Sequence, residues 1–208
     1  MRRAIVVGVT GQTGAGKGLV CEELKKYGYA VIDADKIAAL VTEKGSPVLL
    51  ELANAFGEDI LNEDGSLNRA ELAKRAFKSP EKTTLLNSIT HPEITRLILK
   101  KVNGAFCDGY EAVLVDASQL FESGFSSNCR FIISVVAPEN IRLSRIMERD
   151  GISEEAARQR MSAQRDEMFF RKNADVVIEN DGDIKKIKDQ VLYTARLIEM
   201  RISGEEIL

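Results

Sequence analysis

Gly11, Gln12, Thr13, Gly14, Ala15, Gly16 and Lys17 run in the order GxxxxGK. Glycines at that spacing let a backbone wrap an oxygen-rich anion with its N–H groups. A helix beginning at the lysine adds partial positive charge, and the lysine ammonium can reach the terminal phosphates of a polyphosphate. The next position, where a serine or threonine hydroxyl normally ligates magnesium, holds Gly18, and Leu19 follows. Magnesium often keeps several waters and needs only one or two carboxylates beside the phosphates, so losing the hydroxyl need not mean losing the metal.

Carboxylates and guanidiniums stand at other places suited to the same chemistry. "VIDADK" puts Asp33 and Asp35 at the end of an apolar run, the edge where open α/β sheets bind ligands. An acid there can orient an acceptor hydroxyl or hold magnesium; the plainer alternative is that one of the pair, most simply Asp35, caps the next helix. Asp116 closes "AVLVD" in the manner of a Walker B metal ligand. Arg142, Arg145 and Arg149 fall at three- and four-residue spacing on one helix face, and Arg158, Arg160 and Arg165 follow. Such a cluster can clamp a transferring phosphoryl group; salt bridges to Glu148, Asp150, Glu154 and Glu155 are the alternative for most of it. His91, the only histidine, has no local group to make it a catalytic base, and Pro92 beside it marks a helix start or kink.

These groups need a scaffold that brings strand ends together. Short β-branched runs at Ala4–Gly8, Tyr29–Asp33, Glu111–Asp116, Arg130–Ala137 and Asp175–Asn180 read as strands buried on both faces. Helical patterns occupy Lys17–Tyr27, several segments from Asp35 to Val102, then Pro138–Asp150, Ser153–Asp166 and Asp183–Met200. The alternation predicts a parallel α/β sheet wrapped by helices, and the GxxxxGK loop between its first strand and first helix makes that fold one of the P-loop NTPase type. The connection between the second and third strands is far too long for one crossover and predicts an inserted helical lobe at 35–104. Residues 1–34 and 105–208 then form the core of one domain.

Composition narrows the setting. With 208 residues, 44% apolar, the chain can bury a substantial core. A net charge of −3 provides no bulk attraction to nucleic acid or anionic membranes, so any anion site must be local. Cys21, Cys107 and Cys129 are odd in number and too widely spaced for a CxxC motif, which fits a reducing cytoplasm. The two arginines and short apolar run at the N-terminus end in the glycine-rich loop rather than a cleavage site, and no stretch is long enough to span a bilayer.

Taken together, the segments "GVTGQTGAGKG", "VIDADKIA", "FGEDILNEDGSLNRAELAKRAF", "LLNSITHPEI", "DASQLFESG", "RLSRIMERDGISEEAARQRMSAQ" and "ADVVIENDG" make the chain resemble the dephospho-CoA kinase family along nearly its whole length. The resemblance implies transfer of the ATP γ-phosphate to the ribose 3′-hydroxyl of dephospho-CoA, with magnesium. It implies that Asp33 is the base or orienter of that hydroxyl, with Asp33 or Asp116 holding metal. Gly14 to Leu19, with Lys17, would bind the ATP phosphates, while Asn180 and Gly182 would lie near the adenine. Arg145 and Arg149 would belong to an arginine-rich lid at about 142–172, and Asp35, His91, Leu120 and Glu122 would hold the acceptor.

The chain departs from the family pattern at Gly18, at "SQLFE" where PLLFE is usual, and at Phe170 where a basic residue is common, with Arg171 beside it. "GAGKG" also resembles the adenylate kinase loop. A nucleoside monophosphate kinase and a silent nucleotide-binding regulator are therefore the alternative expectations.

Overall fold

A computed structural model describes residues 3–205; residues 1–2 and 206–208, part of the expected core, lie outside the described residues. Among the described residues five strands form: β1 (Ile5–Gly11), β2 (Ala30–Asp33), β3 (Ala112–Asp116), β4 (Phe131–Val136) and β5 (Val176–Glu179). They make one sheet in the order β2-β3-β1-β4-β5. The ladders of β1 with β3, β1 with β4, and β4 with β5 are parallel. From β1 the chain goes first to one side of the sheet and later to the other, so a switch point lies beside the end of β1, where ligands bind in open α/β sheets.

The helices are α1 (Lys17–Lys25), α2 (Ala34–Val41), α3 (Pro47–Phe56), α4 (Arg69–Ala76), α5 (Pro80–Cys107), α6 (Glu139–Asp150), α7 (Glu154–Ser162), α8 (Glu167–Lys172) and α9 (Ile184–Ser203). Two boundaries differ from the sequence reading for identifiable reasons. β1 continues to Gly11 because Gly11 still pairs with Val135 of β4. The helix expected over Ser153–Asp166 stops at Ser162, because Asp166 Oδ1 accepts the N–H of Phe169 at 2.8 Å and starts α8 instead.

The chain divides into two compact units, Met1–Ile32 with Val102–Leu208, and Asp33–Lys101. In the first, one sheet face packs Ile5, Val7, Val9, Ile133 and Val135 against Val20 and Leu24 of α1 and Ile187, Val191 and Ile198 of α9, all buried. Burying each such side chain contributes about 1.5–3 kcal/mol. On β1 itself, Gly8 leaves room for Leu120: a Cβ there would lie 2.7 Å from Leu120 Cδ2 and 3.0 Å from Cys129 Sγ. Phe169 meets Phe121 and Phe170 edge to face, with ring centroids 5.2 and 5.7 Å apart, and Phe121 lies tilted against Phe170 at 6.3 Å. Phe170 is therefore a core residue, buried in an aromatic cluster.

In the second unit, Ser46 accepts the N–H of Leu49 to cap α3, with Pro47 at its first position, and Asn68 caps α4 through the N–H of Glu71. Arg75 of α4 donates to the Phe56 carbonyl at 2.6 Å, to Asp59 at 2.7 Å and to Glu71 at 2.8 Å, fastening α4 to the end of α3 and the turn after it. Pro92 neither starts nor ends a helix. It lies inside the 28-residue α5, where its missing N–H removes one helical hydrogen bond.

Candidate functional site

The loop between β1 and α1 owes its shape to its glycines. Gly11, Gly14 and Gly16 have φ of 142°, 77° and 92°, a region L side chains rarely adopt. Space forbids a side chain as well: a Cβ on Gly11 would lie 2.1 Å from the Val135 carbonyl oxygen, and one on Gly16 would lie 2.2 Å from Asn180 Nδ2. Gly16 is the N-cap of α1, and neither a side-chain cap nor an acid occupies the first turn of that helix. The positive end of α1 thus faces the loop without internal neutralisation. Lys17 rests its ammonium 3.5 Å from the Gly11 carbonyl oxygen, across the loop mouth. Gly18 and Leu19 lie on the exposed side of the first turn, and a Cβ on Gly18 would meet nothing within 4 Å.

Side chains from distant parts of the sequence hold the loop from outside. Arg142 of α6 is buried and donates from Nε to the Thr13 carbonyl at 3.1 Å; burial pulls its guanidinium below the usual arginine value. Arg145 donates from Nη1 to the carbonyls of Gly14 at 3.2 Å and Ala15 at 3.4 Å, and from Nη2 to Asn180 Oδ1 at 2.9 Å. Asn180 Nδ2 donates to the Ala15 carbonyl at 2.7 Å. Gln164, between α7 and α8, accepts the Thr13 N–H at 2.7 Å, and Gln12 Nε2 lies 3.5 Å from the Arg165 carbonyl oxygen.

The remaining arginines follow the salt-bridge alternative. Arg149 is exposed and forks onto Asp150 at 2.7 and 2.8 Å, which with Arg160 on the same carboxylate holds Asp150 below the ordinary aspartate range. Arg158 pairs with Glu154 and Glu139 at 2.8 Å, and Arg165 lies 3.9 Å from Glu122. One helix face therefore carries two loop-bound arginines and one surface arginine.

The acids are distributed as follows. Of the pair, Asp33 and not Asp35 makes the cap: its Oδ1 accepts the Lys36 N–H at 2.9 Å, and β2 ends at Asp33 with φ −86° and ψ 105°, so it is the last extended residue before α2. Asp35 falls in the first turn of α2. Asp116 ends β3, half-buried, in register with Val9 of β1. Leu120 is fully buried beneath Gly8, Glu122 is exposed, and Gly182 sits in an exposed turn with φ 101°. His91 lies half-buried in α5, and burial holds its imidazole below the ordinary histidine value. Among the described residues no group of three or more histidine, cysteine or acidic side chains could hold a metal.

Gln12 and Gln164 were not singled out from the sequence. Gln164 closes the segment "RMSAQ", the one signal that pointed toward it; its partner Thr13 lies 151 residues away.

Against known proteins, residues 5–186 match the family model described as Dephospho-CoA kinase. The dephospho-CoA kinase of Corynebacterium efficiens is 40% identical over 184 residues, 88% of this chain and 92% of its own length. That of Syntrophotalea carbinolica is 39% identical over 197 residues, covering 93% of this chain and 92% of its own. The solved dephospho-CoA kinase of Campylobacter jejuni superposes with a TM-score of 0.67 at 27% identity, over 96% of this chain and 98% of that one. A solved protein of Thermus thermophilus does so with a TM-score of 0.82 at 33% identity, over 96% and 99%. These matches favour the first reading of the sequence over a nucleoside monophosphate kinase or a silent regulator. With the phosphate loop between β1 and α1 and a family match spanning nearly all of the chain, this protein belongs to the dephospho-CoA kinase family.

Proposed function

We propose that the chain transfers the γ-phosphoryl group of ATP to the ribose 3′-hydroxyl of dephospho-CoA, releasing ADP and coenzyme A. The observation that carries this reading is the loop from Gly11 to Lys17, whose glycines are required by φ and by space, in a chain that matches the family from residue 5 to residue 186. The loop N–H groups and the α1 N-terminus hold the β- and γ-phosphates, and Lys17 leaves the Gly11 carbonyl to bind them. Asp33 aligns the acceptor hydroxyl and takes its proton as the phosphorus–oxygen bond forms. Arg149 stabilises charge on the transferred group, with the helical lobe and His91 holding the acceptor. Most of the rate enhancement then comes from positioning and charge neutralisation.

The residues fit a magnesium ion that arrives with the nucleotide rather than a resident one. No cluster of three ligands stands ready among the described residues, and the space beside Gly18 is open enough for waters. Asp116, or Asp33, would supply the carboxylate, and the ion would neutralise phosphate charge. The three cysteines are free thiols, in keeping with a reducing cytoplasm as the setting of the reaction. The test is a 3′-phosphorylation assay with purified protein, ATP and magnesium, offering dephospho-CoA, AMP and CMP. Coenzyme A formed from dephospho-CoA alone is expected; turnover of AMP or CMP in its place, or none, overturns the reading.

A further inference from the structure

We infer that Asn180, with Arg145 as its brace, is a positioning residue for the phosphate loop: it orients the Gly16 N–H toward the phosphates by holding the Ala15 carbonyl on the opposite side. The inference rests on the proposed ATP site.

The peptide group is planar and trans, so the carbonyl of Ala15 and the N–H of Gly16 point in opposite directions. Asn180 Nδ2 holds that carbonyl at 2.7 Å, and Arg145 Nη1 reaches the same oxygen at 3.4 Å. The amide has only one orientation that satisfies this arrangement. A guanidinium can only donate, so the side-chain oxygen must face Arg145 Nη2 at 2.9 Å, and the nitrogen must face Ala15. Asn180 is itself fixed: its side chain is 1% exposed, and its backbone N–H donates to the Val136 carbonyl at 2.8 Å, one residue beyond the β5 strand. The loop peptide is thus tied to the β4–β5 edge of the sheet through a single side chain. The close approach of Asn180 is also what excludes any Cβ at Gly16. Arg142 applies the same device to the Thr13 carbonyl, which turns the Gly14 N–H the opposite way.

A residue acting through the loop affects phosphate binding and leaves adenine binding alone. Calorimetry on the full chain compares the dissociation constants of ATP and of inorganic tripolyphosphate, each with magnesium, for wild type, Asn180→Ala and Asn180→Asp. Losing a buried, charge-braced hydrogen bond predicts that both constants rise about tenfold or more, by the same factor, with the KM for dephospho-CoA unchanged. Asn180→Asp keeps the size of the side chain and its partner Arg145 but turns an oxygen toward the Ala15 carbonyl. It shows the same paired rise, and it carries the test should the alanine variant not fold. A rise for ATP alone puts Asn180 at the adenine end and overturns the inference. Unchanged constants with a lowered melting temperature make it merely structural and overturn it equally. Coenzyme A formation by the wild type is read separately, so failure of the proposed reaction is distinguishable from failure of this assignment.

Discussion

Both oxygens of Asp33 are engaged by one neighbour: Oδ1 accepts the Lys36 N–H at 2.9 Å and Oδ2 pairs with the Lys36 ammonium at 3.1 Å. The carboxylate is therefore a helix cap as well as the proposed base, and its two duties can be separated. Asparagine ranks with aspartate as an N-cap but cannot take a proton. Asp33→Asn is expected to keep the melting temperature within about a degree or two while turnover falls about a hundredfold or more. The KM for ATP should hardly move. Parallel thermal melts and steady-state kinetics check this, and near-normal turnover would shift the role to Asp116.

Gly18 can accept a side chain. Its φ is not positive and a Cβ there meets nothing within 4 Å, so Gly18→Ser introduces a hydroxyl without strain and gains a few tenths of a kcal/mol of helix propensity. The expected result is a lower magnesium concentration for half-maximal turnover, with the wild type active at millimolar metal. An unchanged or raised requirement on titration would mean that the site is built around the glycine.

Arg149 is exposed and forks onto Asp150, whereas Arg145 is bound into the loop. Replacing either with lysine keeps the charge and loses the fork. Arg149→Lys should lower kcat with little change in the KM for ATP, the mark of an interaction made in the transition state. Arg145→Lys should raise the ATP dissociation constant. Identical kinetic profiles for the two variants would contradict the division between them.

Burial depresses the His91 imidazole, so the unfolded chain takes up a proton before the folded chain does. The stability that neutral His91 permits is then fully present above the unfolded value, about 6.5, and declines as pH falls through that value. Between pH 7.5 and 5.5 the wild type should lose more melting temperature than His91→Gln, which has no imidazole to titrate. Equal losses in the two proteins would assign the pH dependence to other groups.

What could be read in the sequence was local. Strands buried on both faces show as apolar runs, and the GxxxxGK loop shows because its chemistry depends on seven consecutive residues between a strand and a helix; all five runs became strands of one sheet. The sequence also placed Arg142, Arg145 and Arg149 on one helix face, since helical period alone decides that. It could not say what that face meets. Arg142 and Arg149 share an azimuth but stand about 10 Å apart along the helix axis, so the first is buried on the Thr13 carbonyl and the last is in solvent. Which aspartate caps α2 depended on where β2 stops pairing, and Phe170 became core because Phe121 and Phe169 surround it. The contacts that shape the loop join Thr13 to Gln164 and Ala15 to Asn180, 151 and 165 residues apart, and only the folded sheet brings such partners within hydrogen-bonding reach.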